Sequence, residues 1–359
     1  MRSHLGTRRD FLRESAVLGA GVLLGGAALG ACGDDDDATG TTSGGGGSRE
    51  ILMLLDVPPY GKHAPWFVPA AQDHWADMGL DVKIQGAQGS ADSIAKTAAK
   101  AADFGFADTG TLIVARGNSG ARVKETCMYH YKNLHCCLYN EAENAIPEPS
   151  ALEGKKVAGA AGDASFVLLD ALARINNFDV SSVEKTPTPT PNHVSSVLTG
   201  AVDGALTFNT FFPALSEALG DDAGSWLYSE WGIDIYNNGI IVHEDMLEEE
   251  PDLVRSFNEG FANGVKWTVE NPDEATEIFI GSQPAGEALS FDIARAQLQI
   301  ALDHLLVPEV MEVGIGPMSE GKMQETVDLI NEYFDLESPV QLEDVFTNDY
   351  VPKDIIPEA

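Results

Sequence analysis

The segment from Leu80 to Arg116 constrains the fold more than any other, because it predicts a strand, a loop, a helix and a second strand in succession. Residues Asp81–Gln85 alternate apolar and polar side chains, which is the period of a strand with one buried face. Glycines at 86 and 89 then interrupt the alternation, and small or apolar residues recur at helical spacing up to position 101. Phe104–Ala107 follows as a short apolar strand. This order predicts a βαβ unit and therefore an α/β fold.

In a βαβ unit the carboxyl end of each strand and the amino end of the next helix lie at the same edge of the sheet. Gly89 and Ser90 at the helix start and Asp108 after the second strand should therefore lie side by side. That edge is where open α/β sheets hold ligands, and a helix amino end offers N–H groups to acceptor atoms. The alternative is that these residues only form a loop and a helix cap.

The first 32 residues are interpreted as an export signal. Arg8 and Arg9 precede an apolar run at 16–31, which is shorter than the ~20 residues of a spanning helix, and the run ends at Cys32. This pattern resembles a twin-arginine signal with a lipoprotein box, in which Cys32 is acylated after cleavage; a retained short anchor is the alternative. Residues 33–49 are rich in Gly, Ser and Asp and are predicted to be a flexible linker.

The remaining chain of about 310 residues suits two lobes better than one small core. A net charge of −34 argues against nucleic acid as a partner, since both would be polyanions. Cys127, Cys136 and Cys137 lack the spacing of a metal site, so we expect no metal. They are interpreted either as buried thiols or as one disulfide with Cys127 in it.

The loop after the first predicted strand, Ile51–Asp56, is rich in groups that contact ligands. It contains the carboxylate of Asp56, the rings of Tyr60 and Trp66, and His63. Tyr and Trp offer flat apolar faces suited to stacking on a ring-shaped ligand, although single aromatic residues also serve as core.

Later segments predict a second lobe. A linker at 140–153 precedes a strand, a glycine turn and a helix that repeat the first arrangement, and 234–242 is interpreted as the return crossing. The predicted boundaries are 50–142 for the first part of lobe I, 143–236 for lobe II and 237–359 for the return to lobe I. The helices after residue 250, including one with Leu253, Phe257, Phe261 and Val265 at four-residue spacing, are expected to serve packing.

Several short motifs now carry a family resemblance. An Asp-x-x-Pro with a following His-x-Pro, then GLDV, GSAD, ADFGFADTG, LEGKKV, AGDA, VDGAL, PDLVRSF and NPDEA, resemble the solute-binding proteins of ABC importers over 51–280. The sequence is most similar to the branch that serves thiamine pyrimidine precursors, nitrate, sulfonates and taurine. The resemblance implies a type II periplasmic-binding-protein fold, with two α/β lobes, two crossings and the ligand in the cleft between them. It also implies closure of the lobes on the solute, no reaction and no cofactor.

The same resemblance implies partners and a location. These are a membrane permease with its ATPase, and an extracytoplasmic monomer anchored to the outer face of the cytoplasmic membrane through lipid on Cys32. Carried over position by position, the implied ligand-binding residues are Asp56, Tyr60, His63, Trp66, Gly89, Ser90, Asp92, Asp108, Gly162, Asp163, Ala164, Phe208, Asn209, Tyr236, Asn237 and Asn238. Pro59 and Tyr60 depart from the family's commoner Asp-x-x-Pro-Asn-x-x-His pattern.

The charges at these positions favour one class of ligand. An anion would normally be met by Arg or Lys, whereas the positions hold Asp56, Asp108 and Asp163, with only Lys62 and His63 as cations. A neutral or cationic polar ring, specifically a thiamine pyrimidine precursor, is therefore the leading hypothesis. A nitrate, sulfonate or taurine binder is the alternative.

Two alternatives come from other functional classes. Some relatives with this fold are synthases that make the thiamine pyrimidine from pyridoxal phosphate and their own histidine, here His63, but export argues against that reaction. A sensor or adhesin would need the same cleft as an importer component.

Overall fold

The computed structural model describes residues 48–161, 164–284 and 289–358. The predicted signal residues Arg8, Arg9 and Cys32 lie outside this part of the chain, as does nearly all of the predicted linker. Within the described residues, no helix combines the length and hydropathy that crossing a bilayer requires.

In the described part of the chain, ten strands form two five-stranded sheets, which confirms the predicted α/β architecture. The first sheet has the order β2-β1-β3-β10-β4, and the second has the order β7-β6-β8-β5-β9. In each sheet the first three strands are parallel, and the strand that follows them in the order is antiparallel to both of its neighbours. The strands are β1 Arg49–Leu55, β2 Leu80–Gly86, β3 Phe104–Asp108, β4 Val123–Met128, β5 His135–Asn140, β6 Lys156–Gly159, β7 Glu184–Pro187, β8 Gly204–Phe208, β9 Ala223–Leu227 and β10 Asn238–His243.

Helices connect the strands and cover the sheets. Two short 3-10 helices, Gly61–His63 and Asn209–Phe211, follow β1 and β8. The α-helices are α1 Ala64–Ala71, α2 Ser90–Ala98, α3 Thr109–Ser119, α4 Glu141–Asn144, α5 Ala164–Asn176, α6 His193–Leu198, α7 Phe212–Leu219, α8 Glu244–Glu249, α9 Pro251–Glu270, α10 Pro272–Ser282, α11 Phe291–Leu305, α12 Pro308–Val313, α13 Glu320–Tyr333 and α14 Leu342–Val345.

Strand β5 lies in a different sheet from the one that the predicted boundary gave it. It falls inside the predicted range 50–142 of lobe I, yet it pairs with β8 and β9 of the second sheet. The chain therefore changes sheets between Met128 and His135, and the polar segment 141–153 connects two strands of the same sheet. The sequence of an apolar strand that is buried on both faces does not indicate which strand it pairs with. The polar linker therefore predicted the wrong position for the crossing.

Two segments pass between the sheets, and they are hydrogen-bonded to each other. We name residues 129–134 the first crossing and residues 228–237 the return crossing. The backbone N–H groups of Tyr129 and His130 donate to the carbonyl of Asn238, and the N–H of Asn237 donates to the carbonyl of His130. This pairing fixes the side chains of both crossings relative to the ends of β4, β5 and β10.

The core beneath the first sheet is aromatic. Along α9, Phe257, Phe261 and Val265 are buried as their spacing predicted, whereas Leu253 is half-buried. The Trp66 ring stacks on Phe261 with ring centroids 4.0 Å apart. The three described cysteines, Cys127, Cys136 and Cys137, are buried and form no disulfide, which selects the first of the two sequence-based alternatives.

Candidate functional site

Asp56 lies at the centre of a fully buried polar network at the carboxyl end of β1. Its Oδ1 accepts hydrogen bonds from the Val57 N–H at 3.0 Å and from Nε2 of His63 at 2.8 Å. Its Oδ2 accepts from Nζ of Lys62 at 2.6 Å and from Nδ2 of Asn238 at 3.1 Å. A carboxylate has about four lone-pair sites. Asp56 therefore holds the loop together and has no acceptor site left over, contrary to the role expected from sequence.

We name Asp56, Lys62 and His63 the Asp56 network. Lys62 is fully buried, and its Nζ lies 3.7 Å from the centroid of the Phe208 ring as well as against the carboxylate. Burial alone would raise the pKa of Asp56, but the Lys62 charge and the His63 hydrogen bond outweigh it and hold that pKa below its usual value. The ammonium charge is thus already balanced within the protein.

His63 is neutral in this network. Its Nδ1 accepts from the Tyr60 N–H at 3.2 Å, so the ring proton is on Nε2, where it bonds Asp56. Burial lowers the pKa of His63 to about 4, although the bond to Asp56 opposes that shift. Gly61, between these residues, has to be glycine because a Cβ there would collide with the carbonyl oxygen of Ala294 on α11.

The sheet edge predicted from the βαβ unit forms as expected. Gly89 adopts φ 130°, a region that favours glycine, and its N–H donates to the carbonyl of Asp56 at 2.8 Å. The Ser90 hydroxyl accepts from the N–H of Asp108 at 3.1 Å. Asp108 in turn caps α3 by accepting from the Thr111 N–H at 2.8 Å. These groups lie together at the edge, and the hydrogen bonds just described join protein groups to one another.

Asn237 and Asn238, at the junction of the return crossing and β10, each have one side-chain oxygen without a hydrogen-bond partner among the described residues. Nδ2 of Asn237 donates to Oδ2 of Asp108 at 3.0 Å, and Nδ2 of Asn238 donates to Asp56. Because a carboxylate accepts only from the amide nitrogen, these bonds fix which way each amide points. Both Oδ1 atoms are buried and have no hydrogen-bond partner among the described residues.

Two fully buried histidines of the first crossing and β5 have the same property. Both ring nitrogens of His130 and the Nε2 of His135 lack a hydrogen-bond partner among the described residues. Burial lowers the pKa of His135 to about 3 and that of His130 well below its usual value, with the nearby Lys62 charge adding to both shifts. Both rings are therefore neutral at neutral pH. We name His130, His135, Asn237 and Asn238 the crossing cluster.

Such a cluster is unusual because buried polar atoms are nearly always hydrogen-bonded. The crossing cluster leaves five polar atoms of four fully buried side chains without a partner among the described residues. Each costs roughly 1–3 kcal/mol of lost solvation. A bound molecule that supplies the missing partners would recover that free energy.

Aromatic rings surround the polar groups. Tyr60 packs at 4.6 Å from Phe211 and at 4.9 Å from His63, measured between ring centroids. Phe208 lies 4.9 Å from His135, and the Tyr60 hydroxyl hydrogen-bonds Thr210 at 3.0 Å. Tyr60 follows β1 and Thr210 follows β8, so this last bond joins the two sheets. These rings give the site flat apolar walls.

Other predicted residues face elsewhere. Trp66 is part of the core, Asp92 is half-exposed and pairs with Lys96 at 2.7 Å, and the Tyr236 hydroxyl donates to Glu309 at 2.6 Å. The N–H of Asn209 donates to the carbonyl of Leu134, and Ala164 is buried at the start of α5. Gly162 and Asp163 lie outside the described residues.

A cavity of about 300 Å³ opens between the carboxyl ends of β1, β2, β6 and β7. Its lining residues are Pro58, Gln88, Ala160, Ala161, Pro187, Thr188, Pro189, Thr190 and Pro191. Of these lining residues, Pro58 is the nearest in sequence to the Asp56 network, two residues after Asp56.

Sequence reasoning missed His130, Asn133 and His135. The motifs used to select candidate site residues do not include 129–135, so none of these three residues was selected. The available signal was composition: two histidines and an asparagine, together with Lys132, lie among aromatic and apolar residues over 129–135. Polar groups inside an apolar run indicate either buried partners or a ligand.

The family model described as NMT1/THI5 like matches residues 61–275. This chain belongs to the NMT1/THI5-like family. The match covers more than half of the chain and includes Lys62 and His63 of the Asp56 network, both crossings and every described strand except β1.

Two curated relatives and one solved structure agree with this assignment. The chain is 24% identical to the riboflavin-binding protein RibY of Chloroflexus aurantiacus, over 85% of this chain and 86% of that one. It is also 24% identical to the formylaminopyrimidine-binding protein of Halalkalibacterium halodurans, over 82% and 89%. A Candida albicans protein with the generic periplasmic binding protein fold superposes with a TM-score of 0.65 at 14% identity, over 85% of this chain and 98% of that one. The family resemblance and the fold expected from sequence are both confirmed.

Proposed function

We propose that this chain is the solute-binding component of an ABC importer, and that it holds a small, uncharged, nitrogen-containing ring at the crossing cluster. The family match and the curated relatives, which are binding proteins, support the class of function. The fold supports it too, because two sheets joined by two crossings can close on a solute between them.

The observation that carries the ligand class is the set of unpartnered polar atoms in the crossing cluster. Asn237 and Asn238 each present an amide oxygen, and both histidines are neutral. Acceptor oxygens repel an anion, and the buried Lys62 ammonium is already paired with Asp56. This arrangement favours a neutral ring over nitrate, a sulfonate or taurine.

A thiamine pyrimidine precursor is the solute we favour. Its amino group donates hydrogen bonds, which amide oxygens accept, and its ring can stack on Tyr60 or Phe208. Riboflavin is the second candidate, because one relative binds it and the 300 Å³ cavity beside Pro58 gives room for a larger solute.

We propose that the chain binds its solute without reacting with it, and in particular that Lys62 forms no aldimine. Aldimine formation needs a free amine, whereas the Lys62 Nζ is ion-paired at 2.6 Å and fully buried. We further propose that the chain acts as a monomer at the outer face of the cytoplasmic membrane, held by lipid on Cys32, and that it delivers solute to a permease and its ATPase.

The test is isothermal titration of the full-length chain with formylaminopyrimidine, riboflavin and methanesulfonate, after mass spectrometry of any solute that co-purifies. Saturable 1:1 binding of a neutral nitrogen heterocycle supports the proposal. Binding of the sulfonate alone would contradict the ligand class and leave the fold assignment intact. Hydrolysis or modification of a bound solute would contradict the assignment as a binding protein.

A further inference from the structure

The ring of His135 is held in one tautomer by Asn133. Nδ2 of Asn133 donates to the carbonyl of Ile233 at 3.0 Å, and its Oδ1 accepts from the His135 N–H at 2.9 Å, so the amide orientation is fixed. Nδ1 of His135 lies 2.7 Å from that same Oδ1. Two acceptors cannot sit at this distance without a proton between them, so Nδ1 carries the proton.

A second contact does not require the other tautomer. Nδ2 of Asn237 lies 3.1 Å from Nδ1 of His135, but its protons have oxygen acceptors in Asp108 Oδ2 at 3.0 Å and, at a longer distance, Asn133 Oδ1 at 3.4 Å. The Nε2 of His135 is therefore unprotonated. It is fully buried and has no partner among the described residues, so it presents a lone pair.

Three atoms of the crossing cluster are thus acceptors of fixed identity. They are Nε2 of His135 and the Oδ1 atoms of Asn237 and Asn238. Each is fixed by a separate bond on its far side, to Asn133, Asp108 and Asp56 respectively. The fold holds these three lone pairs in place before any solute arrives, which is the arrangement expected of a group that discriminates between solutes.

We propose that His135 is a specificity-determining residue, whose Nε2 is held as an acceptor by Asn133 so that the site selects solutes with N–H donors and rejects isosteric solutes that lack them. The solute class is an aminated, uncharged heterocycle. This inference rests on the proposed function, because it concerns the same site. Asn133 is a positioning residue, since it acts on the solute only through the imidazole.

The first test compares two solutes of nearly the same shape at pH 8, where both are neutral: 4-amino-2-methylpyrimidine and 2,4-dimethylpyrimidine. Replacing the amino group with methyl removes the donors and leaves a buried acceptor unpaired, which lowers affinity by roughly 10- to 100-fold. Equal affinities for the two would overturn the inference while leaving the importer function in place. If neither binds, the inference and the pyrimidine assignment fail together, and binding of another solute would show that the importer function survives.

The second test removes the positioning bond. In Asn133→Leu the imidazole is free to carry its proton on Nε2, where it becomes a donor, so the preference for the amino compound should fall to less than about 3-fold. The matched control is Asn258→Leu, because Asn258 is as deeply buried and donates to the backbone carbonyls of Thr126 and Tyr350 at 3.1 Å, away from the site.

Ring ¹⁵N chemical shifts separate positioning from general destabilisation. They should report His135 with its proton on Nδ1 in the wild type and in Asn258→Leu, and a mixture of tautomers in Asn133→Leu. A proton on Nε2 in the wild type would overturn the inference. So would an Asn133→Leu chain that keeps the amino preference in full, since a merely structural role predicts no change in selectivity.

Discussion

The Asp56 network and the crossing cluster lie next to each other and are both fully buried, yet they differ in one respect. In the network, the Asp56 carboxylate accepts four hydrogen bonds, and these bonds orient the donor groups. In the crossing cluster, five polar atoms have no partner among the described residues. This difference is the basis of our proposal that the network builds the site and that the crossing cluster recognises the solute.

Asn238 joins the two regions. Its amide nitrogen donates to Asp56, and its oxygen belongs to the set without a described partner. The internal ion pair thus orients one of the groups that we expect to meet the solute. Positions 56 and 238 are accordingly expected to affect both stability and affinity.

The largest expected effect comes from breaking the ion pair of the network. Lys62→Met leaves the Asp56 carboxylate buried without its cation, which should lower the free energy of unfolding by about 3–5 kcal/mol. Chemical denaturation measures it. Lys83→Met is the control, because the Lys83–Asp81 pair is largely exposed and its loss should change stability little. A loss at position 62 no greater than the loss at position 83 would contradict the structural role of the network.

Acidification should weaken both regions. His63, His130 and His135 have lowered pKa values in the folded chain, so their neutral forms contribute stability above pH 6.5 that is lost as the pH falls towards their folded values. Each should cost about 2 kcal/mol between pH 7 and pH 5, where the unfolded histidines bind protons. The slope of unfolding free energy against pH, measured for the wild type and His130→Leu, should be smaller in the variant. Equal slopes would show that His130 is not buried and neutral.

His130→Leu should separate affinity from stability. Both nitrogens of His130 lack partners among the described residues, so the apolar replacement should leave the free energy of unfolding unchanged or slightly higher at pH 8. Affinity for the solute should fall by roughly 10- to 100-fold. Calorimetry and denaturation on the same preparation measure both. A loss of stability with unchanged affinity would show that His130 has a structural role and does not bind the solute.

Trp66→Phe is expected to show the opposite signature. The indole stacks on Phe261 and packs edge-on against Phe106 at 5.0 Å, so a smaller ring leaves a void that costs about 1–3 kcal/mol of stability. Affinity should stay within about two-fold. A clear loss of binding with little loss of stability would instead support the ligand contact that the sequence predicted for Trp66.

The smallest effect is expected at Asp92. Its carboxylate pairs with Lys96 and accepts from the Gln88 N–H at 3.0 Å, both on the exposed side of α2. Asp92→Asn should therefore change stability by less than about 1 kcal/mol and leave affinity unaltered. Weaker binding in this variant would place α2 closer to the solute than its contacts indicate.

The sequence predicted the features that depend on local pattern. The βαβ unit at 80–116 formed as expected, with Ser90 and Asp108 in contact, because strand alternation and helix caps are encoded within a few residues. The amphipathic spacing of α9 likewise identified its buried face. These local patterns thus placed Ser90 and Asp108 at one sheet edge.

The features that depend on pairing at long range were not predicted. The partners of β5 lie about 70 and 90 residues further along the chain, and nothing in the six buried residues His135–Asn140 distinguishes the two sheets. Because of the same error, the first crossing was not predicted, and His130 and His135 were not recognised as candidate site residues. The charge argument also treated Asp56 as free, since sequence alone did not show that Lys62, six residues later, would pair with it.

The central claim is that solute meets the crossing cluster and not the Asp56 network, and histidine ring ¹⁵N spectra of the full-length chain with and without saturating solute test it directly. The account predicts that the Nε2 signal of His135 and the ring signals of His130 shift on binding, while those of His63, whose nitrogens are bonded to Asp56 and Tyr60, stay in place. Shifts confined to His63, with His130 and His135 unchanged in the saturated protein, would contradict it.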